Sequence, residues 1–164
     1  MATTKDYRLG EFTFPRGWFM IAEASELDTH RPHAVRFFGK DFALYRGRAT
    51  GKVVLLDAYC PHMKTHLAAP NKTSYVIQDG MGTNVEGDGI RCPYHGWAYD
   101  LSGKHRGGRD HAHEDLVPLR IEVWRGFVFV SLSGTAVPLK EWLGELDALT
   151  AGHDPGGLQI AATH

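Results

Sequence analysis

Residues 58–66 read AYCPHMKTH and residues 92–100 read CPYHGWAYD. In each, a cysteine is followed at once by a proline and then closely by a histidine: Cys60-Pro61-His62 and Cys92-Pro93-Tyr94-His95. The chain has 2 cysteines in all, and both are spent this way. Two thiolates and two imidazoles can hold zinc, but finger-type sites group the cysteines in one knuckle and the histidines in another. Here each loop carries one of each. That arrangement suits a cluster of two irons in which both cysteines bind one iron and both histidines the other. Two loops from neighbouring hairpins then clamp the cluster, with Pro61 and Pro93 stiffening them and Gly96 letting the backbone approach the inorganic sulfurs. Buried free cysteines with unrelated surface histidines remain the plain alternative.

The rest of the chain suits one compact domain with an appendage, since 164 residues at 43% hydrophobic content can bury a core. The start, MATTKDYRLGEF, has neither the basic opening nor the apolar core of a signal peptide, and no apolar run reaches the roughly 20 residues that cross a bilayer. A soluble, cytoplasmic protein is expected, with no membrane partner. A net charge of −1 gives no reason to expect nucleic acid.

The punctuation is that of an all-β protein, with 19 glycines and 8 prolines dividing short runs rich in Val, Ile, Phe and Tyr. Strands are expected at Trp18 to Ala22, Val35 to Phe38, Phe42 to Arg46, Val53 to Asp57 and Ile90 to Arg91. RIEVWRGFVFVSL reads as a hairpin, Arg120–Trp124 and Phe127–Leu132, turning at Arg125-Gly126. The fold that follows is closed or layered and antiparallel. After it, Pro138 can open a helix on which Leu139, Trp142, Leu143, Leu146 and Leu149 recur at helical spacing, with Gly152 as a stop. Such a helix either packs on the β domain or offers a docking face.

CPH and CPYHGW resemble the paired loops of the Rieske family, and the chain is similar, over roughly residues 15 to 148, to the N-terminal Rieske domain of the large subunit of Rieske non-haem iron oxygenases. GWFMIAEASEL resembles that family's opening strand and GFVFVSLSG its closing strand, which leads into a helical segment like VPLKEWLGEL. The resemblance implies a Rieske-type antiparallel β-sandwich with a two-loop cluster-binding subdomain and a short C-terminal helix. It divides the chain into residues 1–134, with the cluster-binding part about 53–102, and a tail, 135–164, leading toward a catalytic domain. It further implies a 2Fe–2S cofactor held by Cys60, His62, Cys92 and His95, and an electron-transfer role between a flavin or iron–sulfur reductase, or a ferredoxin, and a mononuclear iron. The complete oxygenases would be trimers.

Respiratory Rieske proteins carry a serine and a tyrosine that donate to sulfur; those positions resemble Trp97 and Tyr99 here. Loss of one hydroxyl, and of the extra cysteine pair, points away from a respiratory role and toward a lower potential. Proton uptake on reduction is expected of the outer ring nitrogens of the histidine ligands.

The sequence departs from the family pattern twice. Residues 63–91 separate His62 from Cys92 by more than the usual spacing, and NKTSYVIQDGMGTNVEGDG reads as an extended hairpin or a tolerated surface insertion. The resemblance also implies a following domain that holds the catalytic iron by two histidines and a carboxylate; with the sequence running to His164, the expectation is either a naturally short protein whose catalytic iron lies on another chain or a fragment of a longer oxygenase. The segment RDHAHEDL, with Asp110, His111, His113, Glu114 and Asp115, reads as a solvated loop rather than as that site. His66 is expected to cap its loop or face solvent. Three readings stand: an electron-transfer component of a ring-hydroxylating or demethylating oxygenase, which is favoured; a free-standing Rieske-type ferredoxin; and a zinc-stabilised binding domain.

Overall fold

The runs ALY in residues 43–45 and VVLL in 53–56 are apolar without alternation, the pattern of a strand covered on both faces. The computed structural model, which describes residues 17–68, 84–107 and 114–153, shows that cover. Strands β1 (Phe19–Glu23), β2 (His33–Phe37), β3 (Lys40–Arg46), β4 (Val53–Asp57), β5 (Val85–Glu86), β6 (Gly89–Arg91), β7 (Ala98–Tyr99), β8 (Arg120–Trp124) and β9 (Phe127–Ser131) form three antiparallel three-stranded sheets, ordered β1-β9-β8, β2-β3-β4 and β5-β6-β7.

The sheet β2-β3-β4 is the middle layer. Phe42, Leu44, Val53 and Leu55 point one way and pack with Val128 and Val130 of β9. Ala43, Tyr45, Val54 and Leu56 point the other way and pack with Val85, Ile90, Tyr99 and the two cysteines. Successive residues of one strand thus serve two cores, and a one-residue slip would exchange them. Backbone bonds tie β4 to the segment leading into β8, Asp57 N–H to Val117 O at 3.1 Å and Leu119 N–H to Leu55 O at 2.9 Å, and the turn after β3 to the β5–β6 turn, Arg48 N–H to Gly87 O at 2.6 Å. The result is an antiparallel β-sandwich with a small three-stranded subdomain.

Strand positions agree with the sequence reading to within one or two residues, and Arg125 and Gly126 turn the β8–β9 hairpin at φ 46° and 85°. The two-residue strand β7 has no counterpart in the sequence reading, because two residues carry no periodicity. Residues 71–83 of the expected inter-loop hairpin lie outside the described residues; its last part falls in the β5–β6 hairpin, turning at Gly87 with φ 57°.

The C-terminal helix is not continuous. It is two short helices, α1 (Leu139–Leu143) and α2 (Leu146–Leu149), separated where Gly144 takes φ 57°. The apolar spacing on which the single helix rested does not register a glycine that leaves the helical conformation. Leu139 is buried, but Leu149 is 75% exposed, so the apolar stripe is only partly packed. Polar contacts do the docking: Arg125 donates to the carbonyls of Thr150 (2.6 Å), His153 (2.7 Å) and Asp147 (3.0 Å), and Trp124 Nε1 donates to Asp147 Oδ1 (2.9 Å). The guanidinium thus satisfies carbonyls left open at the end of α2. No helix among the described residues is long and apolar enough to cross a membrane.

Candidate metal centre

The two Cys-Pro loops fold alike. Cys60 O accepts from Lys64 N–H (2.8 Å) and Cys60 N–H donates to Thr65 O (2.9 Å); Cys92 O accepts from Gly96 N–H (3.0 Å) and Cys92 N–H donates to Trp97 O (2.7 Å). Each proline occupies the first turn position after its cysteine, where its fixed φ costs nothing. Each loop closes on a residue in left-handed conformation, Lys64 at φ 55° and Gly96 at φ 77°. Besides the close approach to sulfur expected of Gly96, its left-handed conformation is a further reason for glycine there. Lys64 was missed, although aligning the loops on their cysteines places it opposite Gly96.

The loops sort the four donors by type. Cys60 and Cys92 are free and buried, at 1% and 2% exposure, on the floor of the site. His62 and His95 stand exposed at the loop tips with ring centroids 4.8 Å apart. The backbone N–H groups of His62 and Met63 point at Cys60 sulfur, and those of Tyr94 and His95 at Cys92 sulfur. The two thiols also bond each other, which lowers Cys60 to about 5 and pushes Cys92 up. Burial opposes ionisation of both, whereas Tyr99 and the loop amides favour the Cys60 thiolate. One proton shared between two buried sulfurs, ringed by amide donors, is a thiolate site ready for metal.

Among the described residues no three His, Cys, Asp or Glu side chains converge on a point, as one tetrahedral ion would require. The donors form two separate pairs, sulfur below and imidazole above. That set fits a group with two metal atoms, one soft-ligated and one imidazole-ligated.

The aromatic residues flanking the second loop lie against these donors. Tyr99 is fully buried, with Oη 3.1 Å from Cys60 Sγ, and burial followed by that contact raises its own hydroxyl. Trp97 stacks on the His62 ring at 4.5 Å and 3°. Gly89 is needed beneath Tyr99, since a Cβ there would lie 2.5 Å from Tyr99 O. Asn84, buried and unanticipated, donates to Leu67 O at 2.7 Å and so ties the end of the first loop to the second hairpin. His66 caps its own turn: its Nδ1 accepts from Ala68 N–H at 3.1 Å, and its ring meets Tyr59 edge-on. Asp110, His111 and His113 lie outside the described residues. Asp115, from the same segment, accepts from His105 N–H at 2.8 Å.

The carnitine monooxygenase oxygenase subunit of Escherichia coli K12 is 32% identical over 93% of this chain and 40% of its own length. The 5,5'-dehydrodivanillate O-demethylase oxygenase subunit of Sphingobium is 38% identical over 54% of this chain and 18% of its own length. The chain thus spans less than half the length of these curated relatives. Among solved structures, the apo form of a quaternary ammonium Rieske monooxygenase superposes with a TM-score of 0.64, at 24% identity, over 91% of this chain and 43% of that one. Apo dicamba monooxygenase gives 0.58 at 23% identity, over 72% and 32%. The model of the Rieske [2Fe-2S] domain matches residues 17–124, which include both Cys-Pro loops; the chain belongs to this family, and its cofactor is a Rieske-type 2Fe–2S cluster.

Proposed function

We propose that this chain is the electron-transfer part of a Rieske oxygenase, passing single electrons from a reductase or ferredoxin to a mononuclear non-haem iron outside the described residues. The observation that carries the reading is the sorting of donors into a buried cysteine pair and an exposed histidine pair. Cys60 and Cys92 would hold one iron and His62 and His95 the other. The cluster, when bound, supplies a one-electron redox couple. The residues around it do the rest. The paired loops, each closed by a cysteine carbonyl and amide, hold the donors rigid, so that a change of charge needs little rearrangement. Loop amides and the Tyr99 hydroxyl point at the sulfurs and favour added negative charge. The exposed rings of His62 and His95 give the electron a route to a partner's surface. Similarity to oxygenase subunits over most of the chain favours the oxygenase role over a free carrier.

The test is anaerobic. Coulometric titration should read one electron per chain. The reduced protein should then recover its oxidised visible spectrum on addition of a mononuclear-iron oxygenase domain. A protein that stays reduced through that addition, yet still gives its electron to ferricyanide, contradicts the oxygenase role and leaves only a general carrier.

A further inference from the structure

The groups that grip the donors are themselves backed by a side chain that no motif marks. Tyr99 reaches Cys60 Sγ, and Trp97 lies flat on His62. His105, in the turn after β7, packs against both, with ring centroids 4.5 Å from Trp97 and 5.6 Å from Tyr99. Cys60 and His62 belong to one loop, so the contacts run from that loop through Tyr99, His105 and Trp97 and return to it. His105 is also held from behind. Its backbone forms a β-bridge with Tyr99, and its N–H donates to Asp115 Oδ1 at 2.8 Å. A Cβ added to Gly107 would lie 2.2 Å from His105 Cε1, so the ring fills the space up to that backbone.

We propose that His105 is a positioning residue for the cluster: its ring sets where the Tyr99 hydroxyl meets the Cys60 sulfur and how the Trp97 plane bears on His62. The inference rests on Cys60, His62, Cys92 and His95 being the ligands. A hydrogen bond weakens within a few tenths of an ångström and with misalignment, and a close-packed contact passes a displacement on rather than absorbing it. Groups behind the ligands commonly set ligand orientation and cluster properties. His105 acts through two such groups at once, one on each iron's ligand set.

The experiment compares holo-protein of the wild type with His105→Phe, His105→Ala and Gly107→Ala. Each is assayed for iron and sulfide, then read by the electron paramagnetic resonance g values of the reduced state and by redox titration. His105→Ala should keep its iron but show a displaced midpoint potential and broadened g values. His105→Phe, which keeps a flat ring, should stay near the wild type. In Gly107→Ala the new methyl meets the His105 ring first, and it should displace the ring and shift the potential as well. Full iron loading with wild-type g values and potential in both alanine variants overturns the proposal, as does a phenylalanine variant displaced as far as His105→Ala. If His105→Ala fails to load iron, the result for Gly107→Ala decides in the same way. A wild type without a Rieske-type signal overturns the ligand assignment and this proposal with it, whereas a wild-type signal with unshifted variants overturns the proposal alone.

Discussion

Replacing Tyr99 by phenylalanine removes one atom from the site and leaves the ring, fully buried beneath the first loop, in place. The lost atom is the hydroxyl 3.1 Å from Cys60 Sγ. A hydrogen bond to a charged acceptor contributes roughly 1.5–3 kcal/mol, but only the part that differs between oxidised and reduced clusters moves the potential. The reduced cluster carries one more negative charge, so the bond strengthens on reduction and favours it. Taking about 1 kcal/mol for that difference, and about 59 mV per 1.4 kcal/mol for one electron, the variant's midpoint falls by about 40 mV. Redox titration followed by visible absorbance measures this directly, with iron content as the control for loading. An unchanged or raised midpoint in fully loaded Tyr99→Phe would refute the reasoning, because it would mean that the hydroxyl does not favour the reduced state.

Lys64→Gly should stabilise the protein by about 0.5 kcal/mol, since the cost of a left-handed side-chain residue exceeds glycine's extra freedom in the unfolded chain; urea denaturation checks it, and a loss of stability contradicts it. Arg125→Ala should cost about 2 kcal/mol by stripping the carbonyls of Asp147, Thr150 and His153 of their shared donor. Limited proteolysis should then cut within residues 139–153 sooner than in the wild type. Acid should weaken the fold through Asp88, whose carboxyl the Thr50 backbone N–H, with that of Ala49, holds below the ordinary value of 3.8. A depressed folded value means that the stabilisation is complete above 3.8 and is lost as pH falls through the lower, folded value. In denaturation at stepped pH, Asp88→Asn should flatten the decline below pH 4 relative to the wild type.

The cluster loops were legible because their chemistry is local: proline after cysteine fixes the turn, and the residue types name the donors. The strands of the middle sheet were legible because glycines divide short runs rich in β-forming residues, whereas their cover on both faces follows only from the packing of two cores against them. The β8–β9 hairpin was legible from Arg125-Gly126. What escaped lacked a local signature. Two-residue strands such as Ala98–Tyr99 have no period to detect, and the apolar spacing from Leu139 to Leu149 runs straight across the break at Gly144. Lys64 hides in a position that sequence habit gives to glycine, and only the symmetry of the two loops exposes it. Asn84 and His105 lie near ligand loops only after folding, since their partners Leu67 and Trp97 are fixed by hairpin pairing and core packing rather than by neighbouring sequence.

Elemental iron and acid-labile sulfide per chain, measured with the electron paramagnetic resonance spectrum after dithionite reduction, test the central claim most directly. Two irons, two sulfides and a Rieske-type reduced signal, with that signal lost in His62→Cys and His95→Cys, is the predicted result. Stoichiometric zinc without iron, in protein expressed with adequate iron, would contradict it.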